Sequence, residues 1–587
     1  MRALGDKISS TIVAQSLGIP VIPWSGSGII MNPADCFDPE KCEPIYQSAS
    51  ISSLEEAISK AESIGVPLMI KASEGGGGKG IRKIMNMSEI KLAFEQVRKE
   101  VPGSPIFLMK LSQKSRHLEI QVVADQHGQA LTLFGRDCSV QRRHQKIIEE
   151  APISVISEEI AWKMEGDAVK LAQSVRYESV GTVEYLYDIE QGKYYFLELN
   201  PRLQVEHPTT EMVSGVNIPA TQLQIAMGIP LHMIRQIRNL WKQPENQKNN
   251  FELINETRSR PTGHVIAVRI TAENPDAGFK PNSGKLLELN FKSFPETWGY
   301  FSISPSGGLH EYADSQFGHI FAHGPDRESA RKNMVVALKE LIIRGEFRTT
   351  VEYLIELLEK KAFSSNEFDT AWLDGLIAAQ NGPAKRLPHE VSVIGGGAAL
   401  AMCKFEQNEI DVVKALQNRG IPNPTLLASE LNLQFIQDGF SYSCIAIKSS
   451  PHQLRLTFQP KEESVLISAK KMPDGGLLMN IDGKSHSAYV KSEGDNYRVT
   501  IDGKTCILES EQDPTTVKSP SPGKLVRYLV EDGSHVVAGT PVAEIEVMKM
   551  YIPLQCGESG RISFVKPAGS SIETGDLIGN RFINFSF

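Results

Sequence analysis

The period of the hydrophobic positions changes along this chain, and the changes mark out its regions. His117-Leu118-Glu119-Ile120-Gln121-Val122 alternates polar and apolar residues without interruption. A strand repeats every two residues, so His117, Glu119 and Gln121 share one face and the apolar set shares the other. Read by itself, this is a half-exposed strand. Gly181-Thr182-Val183-Glu184-Tyr185-Leu186-Tyr187 and Tyr194-Tyr195-Phe196-Leu197-Glu198-Leu199-Asn200 read as two more strands, with Gln191-Gly192 in the turn between them. From Asp326 to Gly345 the spacing becomes helical. Met334, Leu338 and Leu341 fall on one face, and Gly345 supplies a stop. Such segments alternate with Gly and Pro punctuation up to about residue 385, a mixed α/β (α+β) pattern, and Asn381-Gly382-Pro383 reads as a break.

Beyond residue 388 the pattern turns to strands. A helical stretch around Val412 to Leu416 leads into short β segments, with turn signals at Pro473-Asp474-Gly475-Gly476 and Asp502-Gly503. Alternation in Tyr497-Arg498-Val499-Thr500-Ile501 supports a β-rich domain. Asp513-Pro514 and Ser519-Pro520-Ser521-Pro522 read as a short linker. After it, Gly523-Lys524-Leu525-Val526 through Gly533 and Gly539 is echoed by Gly560-Arg561-Ile562-Ser563 through Gly569 and Gly575. Two similar halves place Glu546-Val547-Met548-Lys549-Met550 between them, at a hairpin tip.

Composition narrows the class without naming it. The 587 residues are enough for three or four domains, and 41% hydrophobic with 22% charged residues fits a globular chain. A net charge of −8 gives no reason to expect nucleic acid. Seven cysteines without a C-x-x-C pair argue against a disulfide framework or a structural zinc site, and for a reducing compartment. No apolar run is long enough to span a bilayer. The start, Met1-Arg2-Ala3-Leu4-Gly5-Asp6-Lys7, is neither a signal nor a transit peptide, so a cytoplasmic location is expected.

The candidate chemistry is concentrated in the first half. Met69-Ile70-Lys71-Ala72-Ser73-Glu74 runs into Gly75-Gly76-Gly77-Gly78-Lys79-Gly80. A strand entering a glycine run lets backbone N–H groups cradle phosphate oxygens, with Lys71 and Lys79 adding charge. The G-K-[ST] ending of a Walker motif is absent, and a hairpin tip is the other reading. Arg142-Arg143-His144-Gln145-Lys146 is a dense cationic patch that suits a small polyanion or merely decorates a surface. If the hairpin is centred on Gln191, Glu184 and Glu198 sit opposite each other, and like charges so opposed destabilise a sheet. A divalent cation would remove the conflict, and Asn200 faces the same side. Hard oxygen donors of this kind suit Mg²⁺ or Mn²⁺, against the reading of two solvated glutamates. In Pro201-Arg202-Leu203-Gln204-Val205-Glu206-His207-Pro208, Arg202, Gln204 and Glu206 alternate and can point into one cleft. An Arg fork can hold a planar oxyanion and a neighbouring Glu can take its proton, or the stretch is an ordinary polar strand face.

Together these motifs resemble the biotin carboxylase component of the biotin-dependent carboxylases, members of the ATP-grasp fold. The resemblance rests on residues 71–80, on Arg136-Asp137-Cys138-Ser139-Val140-Gln141-Arg142-Arg143-His144-Gln145-Lys146, and on Glu198 through His207. Met548-Lys549-Met550 between the two half-repeats is similar to a biotinyl carrier. Val547, Trp298-Gly299-Tyr300-Phe301 and Gly308 through Gly318 narrow the resemblance to eukaryotic multidomain acetyl-CoA carboxylases. The resemblance implies that Lys7, Lys71, Lys110, His117, Gln141 and His144 contact ATP, with the loop Gly75, Gly76, Gly77, Gly78 and Gly80 closing over the phosphates. Glu184, Glu198 and Asn200 would hold the metal. Lys146, Arg202, Gln204 and the Val205 backbone would surround bicarbonate and the carboxyphosphate formed from it. Glu206 would be the base, Arg269 would stabilise biotin's enolate, and Lys549 would carry the biotin.

The implied activity is carboxylation of carrier-bound biotin, as the first half-reaction towards malonyl-CoA for fatty acid biosynthesis. Biotin, ATP and Mg²⁺ or Mn²⁺ would be the cofactors, and a biotin protein ligase and a carboxyltransferase the partners of a homo-oligomer. A biotinylated carrier with a silent catalytic core, or the same component of a propionyl-CoA or pyruvate carboxylase, are the alternatives. The expected divisions are 1–38, a remnant of the carboxylase N-terminal subdomain; 39–111, the lid; 112–385, the ATP-grasp and carboxylase C-terminal part; 388–512, a central linker or interaction domain; and 516–587, an all-β biotinyl carrier. By the resemblance, roughly a hundred or more residues would precede Gly5-Asp6-Lys7 as a Rossmann-like subdomain, and a carboxyltransferase would follow the carrier. The chain is therefore expected to be a fragment, a shortened isoform or an incomplete gene reading, poor in turnover by itself.

Overall fold

The computed structural model describes the chain apart from residues 1–4, 33–34, 36–37, 76–79, 113, 143–144, 245–257, 276–277, 305–306, 311, 380–387, 438, 461–462, 474, 494–495, 503, 510–514, 548–549, 574 and 583–587. The readings of Gly76, Gly77, Gly78, Lys79, His144, Lys549 and the break at 381–383 thus lie outside the described residues.

A small sheet comes first. Strands β1 (Leu68–Ala72), β2 (Ile81–Ile84) and β3 (Ile106–Lys110) pair antiparallel in the order β2-β1-β3. Ile70, Leu108 and Ile84 pack beneath it on the helices Leu54–Ile64 and Ile90–Glu100. Gly80, at the return into β2, has φ +71°, and a Cβ there would lie 2.8 Å from the Ala72 Cβ and 2.9 Å from Val101 Cγ2. Only glycine meets both demands.

The larger sheet carries eight strands, all antiparallel. They are β4 (Ser115–Ala124), β5 (Ala130–Arg142), β6 (Gln145–Ala151), β7 (Ser179–Asp188), β8 (Lys193–Asn200), β9 (His264–Thr271), β10 (Thr297–Phe301) and β11 (Gln316–Gly324). Their order is β10-β11-β9-β6-β5-β4-β7-β8. The alternation in β4 does not leave one face in water, as the half-exposed reading expected: the whole strand is buried. Leu118, Ile120 and Val122 enter an apolar core beneath the helix Glu158–Ser174, each contributing roughly 1.5–3 kcal/mol. His117, Glu119 and Gln121 face the other way, into an interior that is charged.

The helix read from Asp326 to Gly345 is shorter than expected. Asp326 caps it by accepting from the Ser329 N–H at 2.8 Å, and it spans Arg327–Glu340. Ile342–Gly345 is a strand against Gly284–Asn290, so the β-branched pair and Gly345 belong to a sheet rather than a helix end.

The region from residue 388 wraps eight sequential antiparallel strands, Glu430–Gln437 to Lys504–Leu508, around the helix Gly396–Gln417. It rests on the carboxylase end of the chain through Arg498, which donates to the carbonyls of Gly345 and Phe347, and through Arg344, stacked over Tyr489.

The last region is two four-stranded sheets of matching order. One runs Met550–Gln555, Pro541–Val547, Gly523–Tyr528, Ser571–Ile572; the other runs Thr516–Lys518, Leu577–Phe582, Gly560–Phe564, His535–Val536. Gly523–Tyr528 and Gly560–Phe564 hold the same place in each, so the sequence echo is a structural repeat. Ser519-Pro520-Ser521-Pro522 is not a solvated linker. Ser519 and Ser521 are buried, the Ser519 N–H donates to Asp576 O, and the Gly575 N–H donates to Ser519 O. Satisfied backbone groups let this crossing between the sheets pack its two serines into the domain while Pro520 stays exposed.

Candidate active site

The charged face of the large sheet is built around one buried lysine. Lys146, on β6, contacts the carboxylates of Glu119, of Glu184 at 3.3 Å and of Glu206 at 2.7 Å. Burial depresses its ammonium, but the three glutamates outweigh burial and hold it well above the usual range. Behind Glu119 lies Arg136, fully buried, whose fork also reaches Gln121, Thr182, Gln204 and Thr210. Burial and the neighbouring Glu206 and Glu184 charges push the Glu119 carboxyl up against the pull of Lys146 and Arg136.

Glu206 is buried at the N-terminus of the helix His207–Ser214. It accepts from Lys146 and, at 3.2 Å, from Arg269 Nη2. Burial would raise its carboxyl; Lys146, Arg269 and Arg136 overcome that and keep it well below the ordinary range. Arg269, on β9, gives its Nε hydrogen to Glu149 at 2.5 Å. The stretch before Glu206 is a turn rather than a strand. Gln204 is buried and meets Arg136 and Glu184, whereas Arg202 is exposed and donates to its neighbour's Leu203 carbonyl. Val205 is also exposed. The structure therefore gathers Gln204 and Glu206 with Lys146 and Arg269, and leaves Arg202 outside the cluster.

Glu184 and Glu198 are cross-strand partners, as the hairpin argument expects. Their carboxylates diverge. Glu184 accepts from His117 at 2.9 Å, from Asn200 at 2.8 Å and from Gln204 at 3.3 Å. Glu198 faces Lys7 at 3.6 Å, and Lys7 also donates to Gly75 O at 2.6 Å. Among the described residues, the carboxylate, imidazole and thiol atoms that converge closely are those of His117, Glu119 and Glu184, and of Glu119, Cys138 and Glu206. Glu184, Glu198 and Asn200 still offer hard oxygens from adjacent strands, balanced here by lysine ammoniums, and that donor chemistry fits a divalent ion.

Lys71 Nζ lies 3.9 Å from Met109 Sδ and feels the charges of Lys7 and Glu198. Burial brings its ammonium down to about 8, with Glu198 resisting and Lys7 adding to the fall. Lys110 is turned away and donates to the Gly65 and Val66 carbonyls at 2.8 and 2.9 Å. Gln141 is in register with Lys146 and shares its face. Sequence reasoning did not assign Arg136, Glu149 or His319. Only the alternation of β4 hinted that a charged interior would need a buried cation.

The comparisons agree with this geometry. Residues 39–234 match the carbamoyl-phosphate synthase L chain ATP binding domain, 267–375 the biotin carboxylase C-terminal domain, 389–509 the acetyl-CoA carboxylase BT domain, and 515–580 the biotin-requiring enzyme family. The chain is 49% identical over 594 residues to an acetyl-CoA carboxylase of Schizosaccharomyces pombe, covering 99% of this chain but 26% of that protein. It thus spans about a quarter of that relative. The fold is shared with a biotin carboxylase of Campylobacter jejuni at TM-score 0.54 and 30% identity, over 64% of this chain and 74% of that one. It is also shared with the biotin carboxylase domain of the Hydrogenobacter thermophilus 2-oxoglutarate carboxylase, solved with MgADP, ADP and bicarbonate. There the TM-score is 0.55 at 30% identity, over 65% of this chain and 76% of that one. Fold, charged interior and family matches converge: the chain belongs to the biotin carboxylases of the ATP-grasp fold, joined to a biotinyl carrier in the order found in acetyl-CoA carboxylases.

Proposed function

We propose that this chain carboxylates biotin on its own carrier at the expense of ATP and bicarbonate, the first half-reaction of an acetyl-CoA carboxylase that supplies malonyl-CoA for fatty acid biosynthesis. The observation that carries the reading is the buried alternation of charge from Arg269 through Glu206 to Lys146 and Glu119.

Bicarbonate is a poor nucleophile until it loses a proton. Glu206 is the carboxylate held between two cations, ionised but weakly basic. An arriving anion competes for Lys146 and Arg269. As they turn to it, Glu206 loses their stabilisation and becomes a better base. The bicarbonate oxygen then attacks the γ-phosphorus, the bond to the β-phosphate oxygen breaks, ADP leaves, and Glu206 keeps the proton. Lys7, Lys71 and Lys146 offset the charge developing on the phosphoryl oxygens. His117 and Gln141 line the same face, and Gly75 and Gly80 flank the phosphate loop. Mg²⁺ or Mn²⁺ on Glu184, Glu198 and Asn200 would add positive charge at the phosphates when bound. Arg269 is the cation placed to steady negative charge on the biotin ring. Arg202 and Lys110 would need to swing to take up bicarbonate and ATP.

The divisions at 38, 111, 385 and 512 are retained in this reading, with 516–587 as the carrier and Lys549 as its modified residue. A biotin protein ligase, a carboxyltransferase acting on the carrier, a homo-oligomer and a cytoplasmic location complete it. Among the described residues no helix is long and apolar enough to cross a membrane.

Glu206→Gln tests the reading. Bicarbonate-dependent ADP release should fall about 10²–10⁴-fold, with nucleotide binding nearly unchanged. Normal turnover in this variant would remove Glu206 from the mechanism.

A further inference from the structure

The charged face extends past the residues given roles so far. Arg269 on β9 lies between β6, which carries Glu149, and β11, which carries His319. Glu149 is in register with Ala267, His319 with Arg269, and Tyr300 on β10 with His319. Register partners share a face, and so do residues two apart on one strand, so Tyr300, His319, Arg269 and Glu149 form a row. Glu149 and His319 are completely buried, while Tyr300 is 41% exposed.

Every contact in the row has a direction. Arg269 Nε donates to Glu149 Oε1 at 2.5 Å, and His319 Nε2 lies 3.1 Å from Glu149 Oε2. A carboxylate only accepts, so Nε2 carries the hydrogen. Nδ1 lies 3.5 Å from the Tyr300 hydroxyl. A buried carboxylate is costly unless its oxygens are held, and here a donor meets each one. Burial pushes the Glu149 carboxyl up, but Arg269 and His319 outweigh it and leave it below its ordinary value.

We infer that Glu149 and His319 are positioning residues for Arg269, holding its guanidinium by the Nε edge while Nη2 reaches the reacting groups. The need follows from the role proposed above for Glu206, on which this inference rests. Glu206 becomes neutral when it takes a proton, and an arginine anchored on Glu206 alone would then be released. Glu149 has no hydrogen bond to bicarbonate's base or to Lys146, so it keeps its charge and its hold throughout the cycle.

Two readouts test this on the full chain. The Arg269 Nε–H signal of arginine-labelled protein should exchange with water about tenfold faster or more in Glu149→Gln, the equivalent of one charge-assisted hydrogen bond. In the same variant kcat for biotin-dependent ADP release should drop about 10–100-fold, with KM for ATP unchanged. In an Arg269→Lys background, Glu149→Gln should add less than about twofold, because the effect runs through Arg269. His319→Asn removes only the outer contact, is the variant to use if Glu149→Gln does not fold, and should cost about 3–10-fold. If Arg269→Lys keeps full turnover, the role of Arg269 itself fails and takes the inference with it. If Arg269→Lys loses turnover while Glu149→Gln keeps it, or if Nε–H exchange is unchanged, the inference alone is overturned.

Discussion

The carboxylase sheet and the carrier are both antiparallel β structures, yet they bury opposite kinds of residue. Strands β4 to β6 enclose Arg116, Glu119, Arg136, Asp137, Glu149 and Glu150. The carrier encloses Leu525, Val542, Ile545, Val547, Ile562 and Ile578, all inaccessible to solvent, with few polar groups among them. The first arrangement sacrifices stability for a charged interior, since desolvation offsets much of what each ion pair returns. The second spends nothing on chemistry. Apolar burial holds the fold, and the reactive group can sit outside it. Catalysis by buried charge needs a large scaffold; the carrier rests instead on an apolar cluster that continues into the carboxylase's own core.

Four changes would break or sharpen that contrast. The largest effect should come from Lys549→Arg, which should abolish the whole biotin mass increment after co-expression with a biotin ligase, leaving nucleotide binding intact. An unchanged increment by intact-mass analysis would mean another lysine is modified. Next, Arg136→Met should take the buried fork away from Glu119, leaving it Lys146 alone, and destabilise the carboxylase region by about 3–5 kcal/mol, while the carrier still accepts biotin. Calorimetry showing the parental transition would contradict the view that Arg136 holds the charged interior. Ile545→Ala should do the reverse. It should destabilise the carrier by about 2–5 kcal/mol and reduce biotin incorporation without moving nucleotide affinity. The smallest effect concerns pH. Burial brings Lys71 down to about 8, and phosphate favours its charged form. Binding therefore takes up a proton above that pH. ATP affinity, measured without divalent metal, should weaken up to about tenfold per unit as pH rises past 8. Lys71→Met should remove that slope; a slope that survives would assign it elsewhere.

The pairing of Glu184 with Glu198 was legible because a turn near Gln191 sets the register of a hairpin. It was legible for an incomplete reason. Close to the turn Asp188 pairs with Lys193 and Tyr185 with Phe196, a register that would not oppose the two glutamates. A bulge at Leu197 inserts one residue and restores the pairing. Where the carboxylates point was not legible, because His117 and Lys146 reach them from other strands and Lys7 from the helix Lys7–Ser16. Glu149-Glu150 shows the general limit. Adjacent strand residues face opposite ways, and each finds an arginine, Arg269 and Arg327, at separations of 120 and 177 residues. Alternation tells which side chains share a face but not which distant strand lies alongside. The carrier was easier to read because its pairings repeat within one short segment. Even there, Ser519 to Pro522 looked like a tether, since composition does not show that a neighbouring loop satisfies its backbone.

The matched sheets of the carrier also fix its mechanics. Val547 pairs with Met550 at one end of its sheet. The equivalent place in the other sheet is not a hairpin but the pair of ends where Thr516 enters and Phe582 leaves, with Thr516 opposite Asn580. The repeat turns one set of strand ends towards the connection from Val547 to Met550 and the other towards the rest of the polypeptide. Pro541–Val547, seven residues long and advancing about 3.3 Å per residue, sets those two ends roughly 20 Å apart. In the role proposed for Lys549, that separation keeps the carried group clear of the carrier's attachment and adds the length of the body to the reach of the side chain.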